Sequence, residues 1–575
     1  MEKIFFGLFL FSIPLQTRLT FVTHETYRRI FFNEYATFFL YLSDILFIIT
    51  LFLFFVNPVR GFKLLSLLNN SIRRKPLSFE NLGKYKEQDW ISNGINILTK
   101  RVNFSIILNK LSTYPHIIHI LALFLLIAWG FLSIYWSEYK EISFYKSLKL
   151  AGFGLLFFYI TQSLRWFGFK NLFSIVFVAG FFQSIVGILQ YLYQHSLYLK
   201  IFGESVLYPN LAGVAKIVVD GEKIIRVYGT FPHPNVFAGF LILSIFSGFW
   251  LLFTYRIEKN ALPWISILTA GIILQLAAFT LTFSRVAWLA AIIIIIILLI
   301  SNRKLFHVKQ SVDFGLNKLK TFALVIIFIA FAVFLALNLS IIINRTTDAE
   351  KKYQQAISYR LLYNDIAINM IKQNPLTGVG NGNFTLKMAD YSSEKLSWWQ
   401  YQPAHNIYLL ITSELGIIGL LIFLIFIIAV LKMAYLKQKE NYGFHPPTFM
   451  LKLFHACPPK LARFLKKLFN LKQNSAIVSR ETIYNKTKEG ETMAFFDLNK
   501  EKNLNSGEIS VGARLPAIAL AKVGETILFI RLMLAVFVGF LFIGLFDHYF
   551  WTLQQGQLTF WIVIGMLLAL TKEGD

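Results

Sequence analysis

Residues 406–431 read NIYLLITSELGIIGLLIFLIFIIAVL, and this stretch decides the fold class. It is longer than the roughly 20 apolar residues with which a helix crosses a hydrocarbon core about 30 Å thick. Further runs of this kind lie near 4–20, 36–56, 115–136, 143–162, 173–193, 235–254, 263–283, 286–301, 322–343, 526–546 and 557–571. The sequence therefore predicts an all-α integral membrane protein with about twelve transmembrane helices.

The composition of the 575 residues agrees with a membrane-embedded chain. Hydrophobic residues make up 56% and aromatic residues 17%, while charged residues make up only 15%. A soluble domain has about 25% charged residues, and aromatic side chains suit lipid and its two interfaces. An ordinary soluble enzyme, a disordered chain and a coiled coil are therefore excluded. The single cysteine, Cys457, excludes an internal disulfide.

The formal charge of +25 is concentrated in three regions, 57–114, 302–321 and 432–525. Lys and Arg collect in cytoplasmic loops of membrane proteins, and the predicted helix count puts all three regions on one side. We therefore expect these regions and both chain termini in the cytoplasm. The same rule explains the basic excess without nucleic acid, and we expect no nucleic-acid partner.

These regions divide the chain into seven predicted parts. They are N-terminal membrane helices (1–56), a basic cytoplasmic loop (57–114), membrane helices (115–343), a large extracytoplasmic loop (344–405), a membrane helix (406–431), a second basic cytoplasmic loop (432–525) and C-terminal membrane helices with a short tail (526–575). In the outer loop, Thr347 and Glu350 form a capping box that predicts a helix of roughly 25 residues, ending before Asn374-Pro375. In the second inner loop, 459–469 predicts an amphipathic helix on the membrane surface.

The richest motif is Pro403-Ala404-His405-Asn406, followed after nine residues by Gly416 and Gly419. His405 stands at a predicted membrane entrance on the outer side. A histidine can be neutral near pH 7 and take a proton from a hydroxyl, which qualifies it as a general base. The alternative is a polar residue at a helix start. Two glycines three residues apart allow close approach of a neighbouring helix.

Two arginines on the predicted outer side are candidate anion ligands. Arg285 stands between two apolar runs, where an Arg costs on the order of 3 kcal/mol unless it has a partner or reaches the interface. Its planar guanidinium suits a phosphate. Arg360, on the predicted outer helix, is the second candidate. The alternatives are an Arg285 that extends to the interface and an Arg360 on a solvated helix face.

The turn from Arg226 to Asn235 runs straight into a predicted span. Its prolines and Asn235, a suitable N-cap, are typical of a rigid entry turn. Alternatively, Arg226, His233 and Asn235 form a polar rim that faces a substrate.

Two glycines and the acid–histidine pair Asp547-His548 complete the predicted outer face. Gly378 and Gly380 follow Asn374-Pro375 and are interpreted as turn formers, since a phosphate-binding glycine loop needs a preceding strand. Asp547-His548 is expected to make interface hydrogen bonds. The predicted outer loops contain none of the usual metal-ligand spacings, so neither a metal nor a cofactor is expected.

Together, the turn Arg226-x-x-Gly229-x-x-x-x-Pro234-Asn235, the pair Ser284-Arg285, Arg360, Asn374-Pro375-x-x-Gly378-x-Gly380 and His405-Asn406-(nine)-Gly416-x-x-Gly419 resemble the bacterial O-antigen ligase and polymerase family. The resemblance spans roughly residues 200–430. It implies a multi-helix glycosyltransferase, similar to the GT-C class, that passes a glycan from a polyprenyl (undecaprenyl-type) diphosphate to an acceptor hydroxyl. The basic loops 57–114 and 432–525 depart from the family pattern.

The resemblance also implies partners, a location and roles. The donor is a polyprenyl-diphosphate-linked glycan, the acceptor is a lipid or glycan hydroxyl, and membrane lipids surround the chain. The active site is on the extracytoplasmic face of the bacterial cytoplasmic (inner) membrane. His405 and Arg285 are the expected catalytic residues, Arg285, Arg360 and Arg226 hold the diphosphate, and Asn406, His233, Asn235, Gly378, Gly380, Gly416 and Gly419 support them.

Other functions stay open at this point. Within the same family, the chain could be an O-antigen or exopolysaccharide polymerase, or it could glycosylate Ser and Thr of proteins. A transporter or flippase of lipid-linked sugars is a more distant alternative, since about twelve spans suit that class too. A transporter is expected to have charged groups or broken helices near mid-membrane. Here the ionisable residues gather at one predicted face.

Overall fold

Helices separated by turns form most of the described chain. The structure is a computed structural model that describes residues 1–21, 33–56, 115–219, 221–254, 261–307, 318–347, 350–442 and 528–569. Within these ranges, Met1–Asn441 and Leu528–Asp575 belong to one packed unit. The basic region 57–114, most of 432–525 and the predicted amphipathic helix 459–469 lie outside the described residues.

The helices are numbered in chain order. They are α1 (Glu2–Ser12), α2 (Leu42–Val56), α3 (Pro115–Leu132), α4 (Lys140–Phe167), α5 (Phe169–Tyr193), α6 (Pro234–Thr254), α7 (Ala261–Leu281), α8 (Arg285–His307), α9 (Lys318–Leu337), α10 (Leu339–Thr347), α11 (Glu350–Gln373), α12 (Phe384–Tyr391), α13 (Ile407–Tyr442), α14 (Leu528–Ile543), α15 (Tyr549–Thr552) and α16 (Gln554–Ala569). Two antiparallel hairpins add β1 (Arg18–Phe21) with β2 (Phe38–Tyr41), and β3 (Lys216–Val219) with β4 (Glu222–Ile225).

Among the described residues, seven helices are long and apolar enough to cross a membrane, namely α3, α4, α5, α6, α7, α9 and α13. Three shorter apolar helices are Leu42–Val56, Arg285–Ser301 and Leu528–Ile543. α9 leaves Phe322, Phe328 and Leu337 largely exposed, as expected of a helix that faces lipid. The chain is therefore a mostly helical, multi-pass membrane protein, and a total of twelve spans stays a prediction.

The N-terminal segment differs from its prediction. The first run was expected to cover 4–20, but α1 has 11 residues, which corresponds to about 16 Å of helix. The chain then forms β1, whose Arg18 lies opposite Tyr41 and whose Phe21 lies opposite Phe38 of β2. The second run therefore begins as a strand before α2. A short apolar run rich in aromatic residues fits a strand as well as a helix, and periodicity cannot separate the two.

The second hairpin lies in the segment between α5 and α6. Lys216 pairs with Ile225, and Val219 pairs with Glu222. Ile225 is fully buried, and the backbone N–H of the next residue, Arg226, donates to the carbonyl of Ala215 at 3.3 Å. The hairpin therefore fixes the position at which Arg226 enters the protein interior.

The last helix, α16, lies in the core. Its residues from Gln554 to Ala569 are buried with the exception of Gln557, and it packs mainly against α4 and also against α6. Gly565 faces Ile160 of α4 so closely that an added Cβ would lie 2.9 Å from the Ile160 Cβ. A helix that is apolar on all sides is typical of such a central position. The segment before it, 544–553, is thereby held against the middle of the bundle.

α13 is broken at Gly416, where φ is 70° and ψ is −178°. The break frees backbone groups that the segment 374–384 satisfies. Val379 N donates to Ser413 O and Gly380 N to Glu414 O, both at 2.9 Å, and Ile417 N donates to Pro375 O at 2.9 Å. A discontinuous helix in a membrane protein needs this kind of compensation.

The break corrects the interpretation of Gly416 and Gly419 as one helix-packing face. An added Cβ at Gly416 would lie 2.0 Å from the carbonyl oxygen of Leu376, so Gly416 accommodates a loop backbone. Only Gly419 lies inside the continuing helix, against Leu415 and the Trp129 ring. Gly378 and Gly380 have φ of 69° and 104°, so they occupy turn conformations that favour glycine.

The predicted outer helix is present as α11. It has 24 residues and ends at Gln373, directly before Asn374-Pro375. The capping box predicted at its start includes residues 348 and 349, which lie outside the described residues. Its buried residues, including Tyr363, Ile366 and Met370, pack with Val379 of the following turn and Met388 of α12 in a core of their own.

Candidate active site

His405 stands immediately before α13. Asn406 caps this helix, because its Oδ1 accepts hydrogen bonds from the backbone N–H groups of Tyr408 at 2.9 Å and Leu409 at 3.1 Å. The helix N-terminus therefore fixes the backbone of Asn406 and of the residue before it. His405 itself keeps 22% of its side chain exposed.

The His405 ring is enclosed by three other side chains. Its Nδ1 lies 3.9 Å from the Asp547 Oδ1, and its ring centroid lies 4.9 Å from that of His548. The Tyr363 ring from α11 stacks on it at 5.9 Å. The Nδ1 atom is buried and has no hydrogen-bond partner within the described chain. The ring is thus held by packing, with one nitrogen directed at a carboxylate.

Asp547 is 6% exposed and is held by hydrogen bonds. Its Oδ2 accepts from the Asn235 side-chain amide at 2.8 Å, and its Oδ1 accepts from the backbone N–H of His548 at 2.8 Å. Asn235 in turn accepts from Arg226 Nη2 at 2.7 Å. A chain of hydrogen bonds therefore connects Arg226 through Asn235 to the carboxylate beside His405.

Asn235 is not the N-cap that the sequence suggested. α6 begins one residue earlier, at Pro234, and the first helical position suits proline because its missing N–H needs no partner there. His233 takes the capping role, since its Nδ1 accepts from the backbone N–H of Asn235 at 3.1 Å. The Asn235 side chain is therefore available to accept a hydrogen bond from Arg226 and to donate one to Asp547.

Arg226 is buried, with 6% of its surface exposed. Besides its bond to Asn235, its Nε donates to the carbonyl of Thr282 at 2.5 Å. Thr282 belongs to the turn that separates α7 from α8. Through these two hydrogen bonds, Arg226 connects Asn235 at the start of α6 to the turn that precedes Arg285.

Arg285 is the first residue of α8 and is half-buried. It follows Ser284, which is 5% exposed, and Phe283, which is 1% exposed and has a φ of 47°. A left-handed conformation is unusual for a phenylalanine and persists only where packing enforces it. Arg285 comes three residues after Thr282, whose carbonyl accepts from Arg226.

Arg360 lies on α11, one helical turn before Tyr363, and is half-buried. Its positive charge acts on His405, His548 and His233. Arg360 is therefore close enough to the three histidines to influence their protonation. Of the predicted anion ligands, Arg360 acts on all three histidines, whereas Arg226 acts on His233.

The environment of His405 favours the neutral imidazole. Burial lowers the pKa of His405, the Asp547 carboxylate opposes that shift, and the Arg360 charge adds to it, with a net lowering. Burial would raise the pKa of Asp547, but the charges of His405, His548 and His233 and the hydrogen bond from Asn235 outweigh it, so the net pKa is lowered. A neutral imidazole thus faces an ionised carboxylate.

His548 and His233 are neutral bases with other partners. Burial lowers the pKa of each to about 3, and neighbouring positive charges, including Arg360, contribute to both shifts. His548 Nδ1 shares a hydrogen bond with Thr552 Oγ1 at 2.6 Å, and His233 Nδ1 accepts from the backbone. Among these three histidines, only His405 has a buried ring nitrogen without a hydrogen bond.

The interpretation of Asp547-His548 as interface hydrogen bonding is wrong. Both residues are buried beside His405, from which they are separated by more than 140 positions in the chain. Sequence spacing cannot reveal such a cluster. A signal was nonetheless present, because an acidic residue next to a histidine, between two apolar runs, is expensive to bury without a function.

His405, Asp547 and His548 could also present ligand atoms to a metal ion. One ligand atom from each lies within 4.8 Å of the others. The Asp547 oxygens already accept bonds from Asn235 and from the His548 backbone, which would have to persist or be exchanged in such a site. The motif patterns had indicated no metal site, and this geometry supplies a specific place at which to test that expectation.

Residues 270–424 match the family model described as O-antigen ligase. The matched range contains Arg285, Arg360, His405 and the helix break at Gly416, whereas Arg226, Asn235, Asp547 and His548 lie outside it. No curated protein matches the chain. The motifs around Arg285, Arg360 and His405 agree with this match, and the region 270–424 is similar to the O-antigen ligase family.

Proposed function

We propose that the protein moves a glycan from a polyprenyl diphosphate, of the undecaprenyl type, to an acceptor hydroxyl at the outer face of the bacterial cytoplasmic membrane. The match of residues 270–424 to the O-antigen ligase family model supports glycosyltransferase activity of the O-antigen ligase and polymerase type in general. The donor, the acceptor, the membrane and its face are our proposal. The observation that carries it is the neutral His405 ring beside the buried Asp547 carboxylate.

In this reaction the acceptor oxygen forms a bond to the anomeric carbon of the glycan. The bond from that carbon to the diphosphate breaks, and its electron pair leaves with the polyprenyl diphosphate. The acceptor hydroxyl loses a proton, which a general base must take. The protein therefore has to orient the acceptor, accept one proton and stabilise the charge on the leaving diphosphate.

His405 suits the role of the base. Its Nδ1 faces Asp547, so a proton on Nδ1 leaves the Nε2 lone pair available for the acceptor hydroxyl. When Nε2 takes the proton, the imidazolium charge is stabilised by the carboxylate 3.9 Å away. Asp547 acts as a positioning residue, which is held in turn by Asn235 and Arg226.

Arg285 and Arg360 are the proposed ligands of the diphosphate. Both are half-buried, and arginine binds phosphate oxygens in pairs through its planar guanidinium. Arg226 was predicted for the same role, but two of its nitrogens already bond Thr282 and Asn235. We therefore assign Arg226 to positioning. His233 and Asn235 support the side of the site that Arg226 and Asp547 form. The backbone around His405 is held by Asn406, Gly378, Gly380, Gly416 and Gly419.

The wider features of the proposal are those implied by the family resemblance. They are a bundle of about twelve spans similar to the GT-C class, both termini in the cytoplasm, and a reaction that needs no metal. Two arginines can neutralise the leaving diphosphate, which is the task that a divalent cation performs in other phosphate chemistry.

The proposal is tested by incubating the purified protein with a polyprenyl-diphosphate oligosaccharide, with and without a lipid or glycan acceptor, and by mass spectrometry of the products. Transfer to the acceptor is expected. A product with one glycan on a new acceptor indicates a ligase, and a ladder of repeats on the carrier indicates a polymerase. A Ser- or Thr-containing peptide as acceptor tests protein O-glycosylation.

The transporter alternative has a separate outcome. The ionisable cluster lies at the beginnings of α6 and α13 and before α16, and a transporter site is expected near the middle of the membrane. If no acceptor is glycosylated and the intact lipid-linked sugar moves between the leaflets of vesicles, the transferase proposal is wrong.

A further inference from the structure

The segment that follows α5 contains a loop with an exposed apolar tip. The loop comprises residues 197–204, and it is called the tip loop below. Ile201 at its end is 83% exposed, and Tyr198 and Phe202 beside it are exposed as well. Large apolar side chains displayed together on a surface indicate a contact with lipid or with a partner.

The tip loop is held in one conformation from within. The Glu204 carboxylate accepts hydrogen bonds from the backbone N–H groups of Leu197 and Leu199, both at 2.6 Å, and from the Gln190 amide at 2.7 Å. Tyr198 has a φ of 62°. A left-handed conformation is uncommon for a tyrosine and persists only where the surroundings enforce it. The exposure of the apolar tip is therefore built into the loop.

The tip loop turns back alongside α5. The Phe202 carbonyl accepts from the backbone N–H of Gln16 at 3.1 Å, and the Gln16 side-chain amide donates to the Thr230 carbonyl at 2.8 Å. The Thr230 backbone N–H donates to Gln183, which lies about 15 Å from the Tyr193 end of α5. Together with the bond to Gln190, this chain of contacts places the loop beside the last turns of α5 and not beyond its end.

The surface next to the tip loop is apolar and faces lipid. α1 ends shortly before Gln16 and exposes Ile4, Leu8 and Phe11. The Phe11 ring packs edge-on against Phe182, which is itself exposed on α5. Since α5 is long and apolar enough to span a membrane, its exposed apolar side chains are expected to meet lipid. The tip loop therefore continues a lipid-facing surface.

The residue types of the tip suit the boundary between lipid headgroups and acyl chains. Tyr193 and Tyr198 are exposed near the end of α5, and tyrosine is enriched at this boundary. Lys200 is exposed beside Ile201, and a lysine can reach headgroup phosphates while its stem covers apolar surface. Glu204, the acid of the loop, is directed inward by its three hydrogen bonds.

We propose that the tip loop enters the lipid leaflet at the Tyr193 end of α5, which is the outer leaflet in the predicted orientation. Ile201 and Phe202 lie among the upper parts of the acyl chains, and Lys200 lies at the level of the headgroup phosphates. The occupant of this surface is bulk membrane lipid. The inference concerns a membrane contact outside the spans and does not depend on the transfer reaction.

Fluorescence quenching tests the proposal on the full chain in lipid nanodiscs of phosphatidylethanolamine and phosphatidylglycerol. In a Cys457→Ser background, Ile201→Cys is labelled with the environment-sensitive fluorophore NBD. Phe182→Cys is the lipid-facing reference, and Ser393→Cys, exposed in the predicted outer loop, is the water-facing reference. Lipids with a doxyl group on the upper acyl chain quench from the membrane, and iodide quenches from the water.

We expect the label at position 201 to behave like the label at 182, with strong quenching by the doxyl lipid and weak quenching by iodide. Behaviour like that of Ser393→Cys would overturn the proposal and leave the tip open to a soluble partner. Protection from both quenchers would overturn it too, since protein would then cover the tip. Thermal unfolding verifies the fold, and Phe202→Cys decides the result if Ile201→Cys is unfolded.

A second pair of lipids tests the depth assigned to the two side chains. A TEMPO group on the headgroup should quench a label at Lys200→Cys more strongly than one at Ile201→Cys, and a doxyl group on the acyl chain should give the opposite order. Lysine at the phosphates and isoleucine among the chains require this reversal. The same order with both lipids would contradict the proposed placement of the tip.

Discussion

At the residue scale, the protonation state of His405 controls the proposed chemistry. Burial lowers its pKa below the ordinary value of 6.5, so its base form persists as the pH falls to that value. The rate should therefore be constant through neutral pH and should decrease only when the pH falls through the lowered pKa of His405. Asp547, whose pKa is also lowered, stays ionised over this range.

The prediction is an acidic limb of kcat/KM with its midpoint below 6.5, measured from about pH 4.5 to about pH 8, because kcat/KM reports the pKa of the free enzyme. The residual activity of His405→Gln should lack this limb, since glutamine does not titrate. The same limb in His405→Gln as in the wild type would show that another group is the base.

His405 and Arg285 are candidates from the sequence because each stands next to an apolar run, and Arg360 is a candidate because it lies on the predicted outer helix; their roles stay predictions. The partners of His405 could not be predicted in the same way. Asp547 and His548 reach it only because α16 and α14 place the segment between them beside the start of α13. Arg226 was predicted as a diphosphate ligand, and its burial against Thr282 and Asn235 depends on the hairpin that precedes it.

At the element scale, the break in α13 is the feature with the sharpest mutational test. Gly416→Ala puts a side chain into a left-handed backbone at a cost of roughly 1–2 kcal/mol, and its Cβ would lie 2.0 Å from the Leu376 carbonyl oxygen. We expect a clearly lower Tm for the purified protein, followed by tryptophan fluorescence.

Gly152→Ala is the matched control for that substitution. Gly152 lies within α4, and an added Cβ would have no atom within 4 Å. An alanine in a helix is more favourable than a glycine by roughly 0.5–1 kcal/mol, so this variant should be as stable as the wild type or more stable. Equal stability of Gly416→Ala and the wild type would contradict the structure of the break.

Most helices could be predicted from apolar length, and α11 could be predicted to within a residue or two at its C-terminal end from Asn374-Pro375. Two kinds of element could not. β1 and β2 have the same apolar composition as a membrane helix, and only pairing between distant residues makes them strands. The break at Gly416 depends on the segment 374–384, which supplies the hydrogen bonds that a continuous helix would make internally.

At the scale of the whole molecule, the orientation in the membrane is a prediction from charge. Cys457 is the only cysteine and lies in the basic region 432–525, which is expected in the cytoplasm. A membrane-impermeant maleimide added to spheroplasts should leave Cys457 unlabelled. Ser393→Cys in a Cys457→Ser background should be labelled, since Ser393 is exposed in the predicted outer loop. Labelling of Cys457 in sealed spheroplasts would reverse the orientation.

The role of metal ions is also a property of the whole reaction. If Arg285 and Arg360 neutralise the diphosphate, transfer should keep its wild-type rate after treatment with EDTA and removal of the chelator by gel filtration. A large loss of activity that Mg²⁺, Mn²⁺ or Zn²⁺ restores would instead assign a cation to the site, with His405, Asp547 and His548 as the candidate ligands.

The central claim is that glycan transfer depends on His405 as the base. The most direct measurement is the transfer rate of His405→Ala beside the wild type and His195→Ala, a histidine in the segment between α5 and α6 whose Nδ1 contacts the Ser196 carbonyl. Loss of a general base typically costs about 10²–10⁴-fold, so we expect a decrease of that size for His405→Ala and near-normal transfer for His195→Ala. Transfer by folded His405→Ala at the wild-type rate would contradict the account.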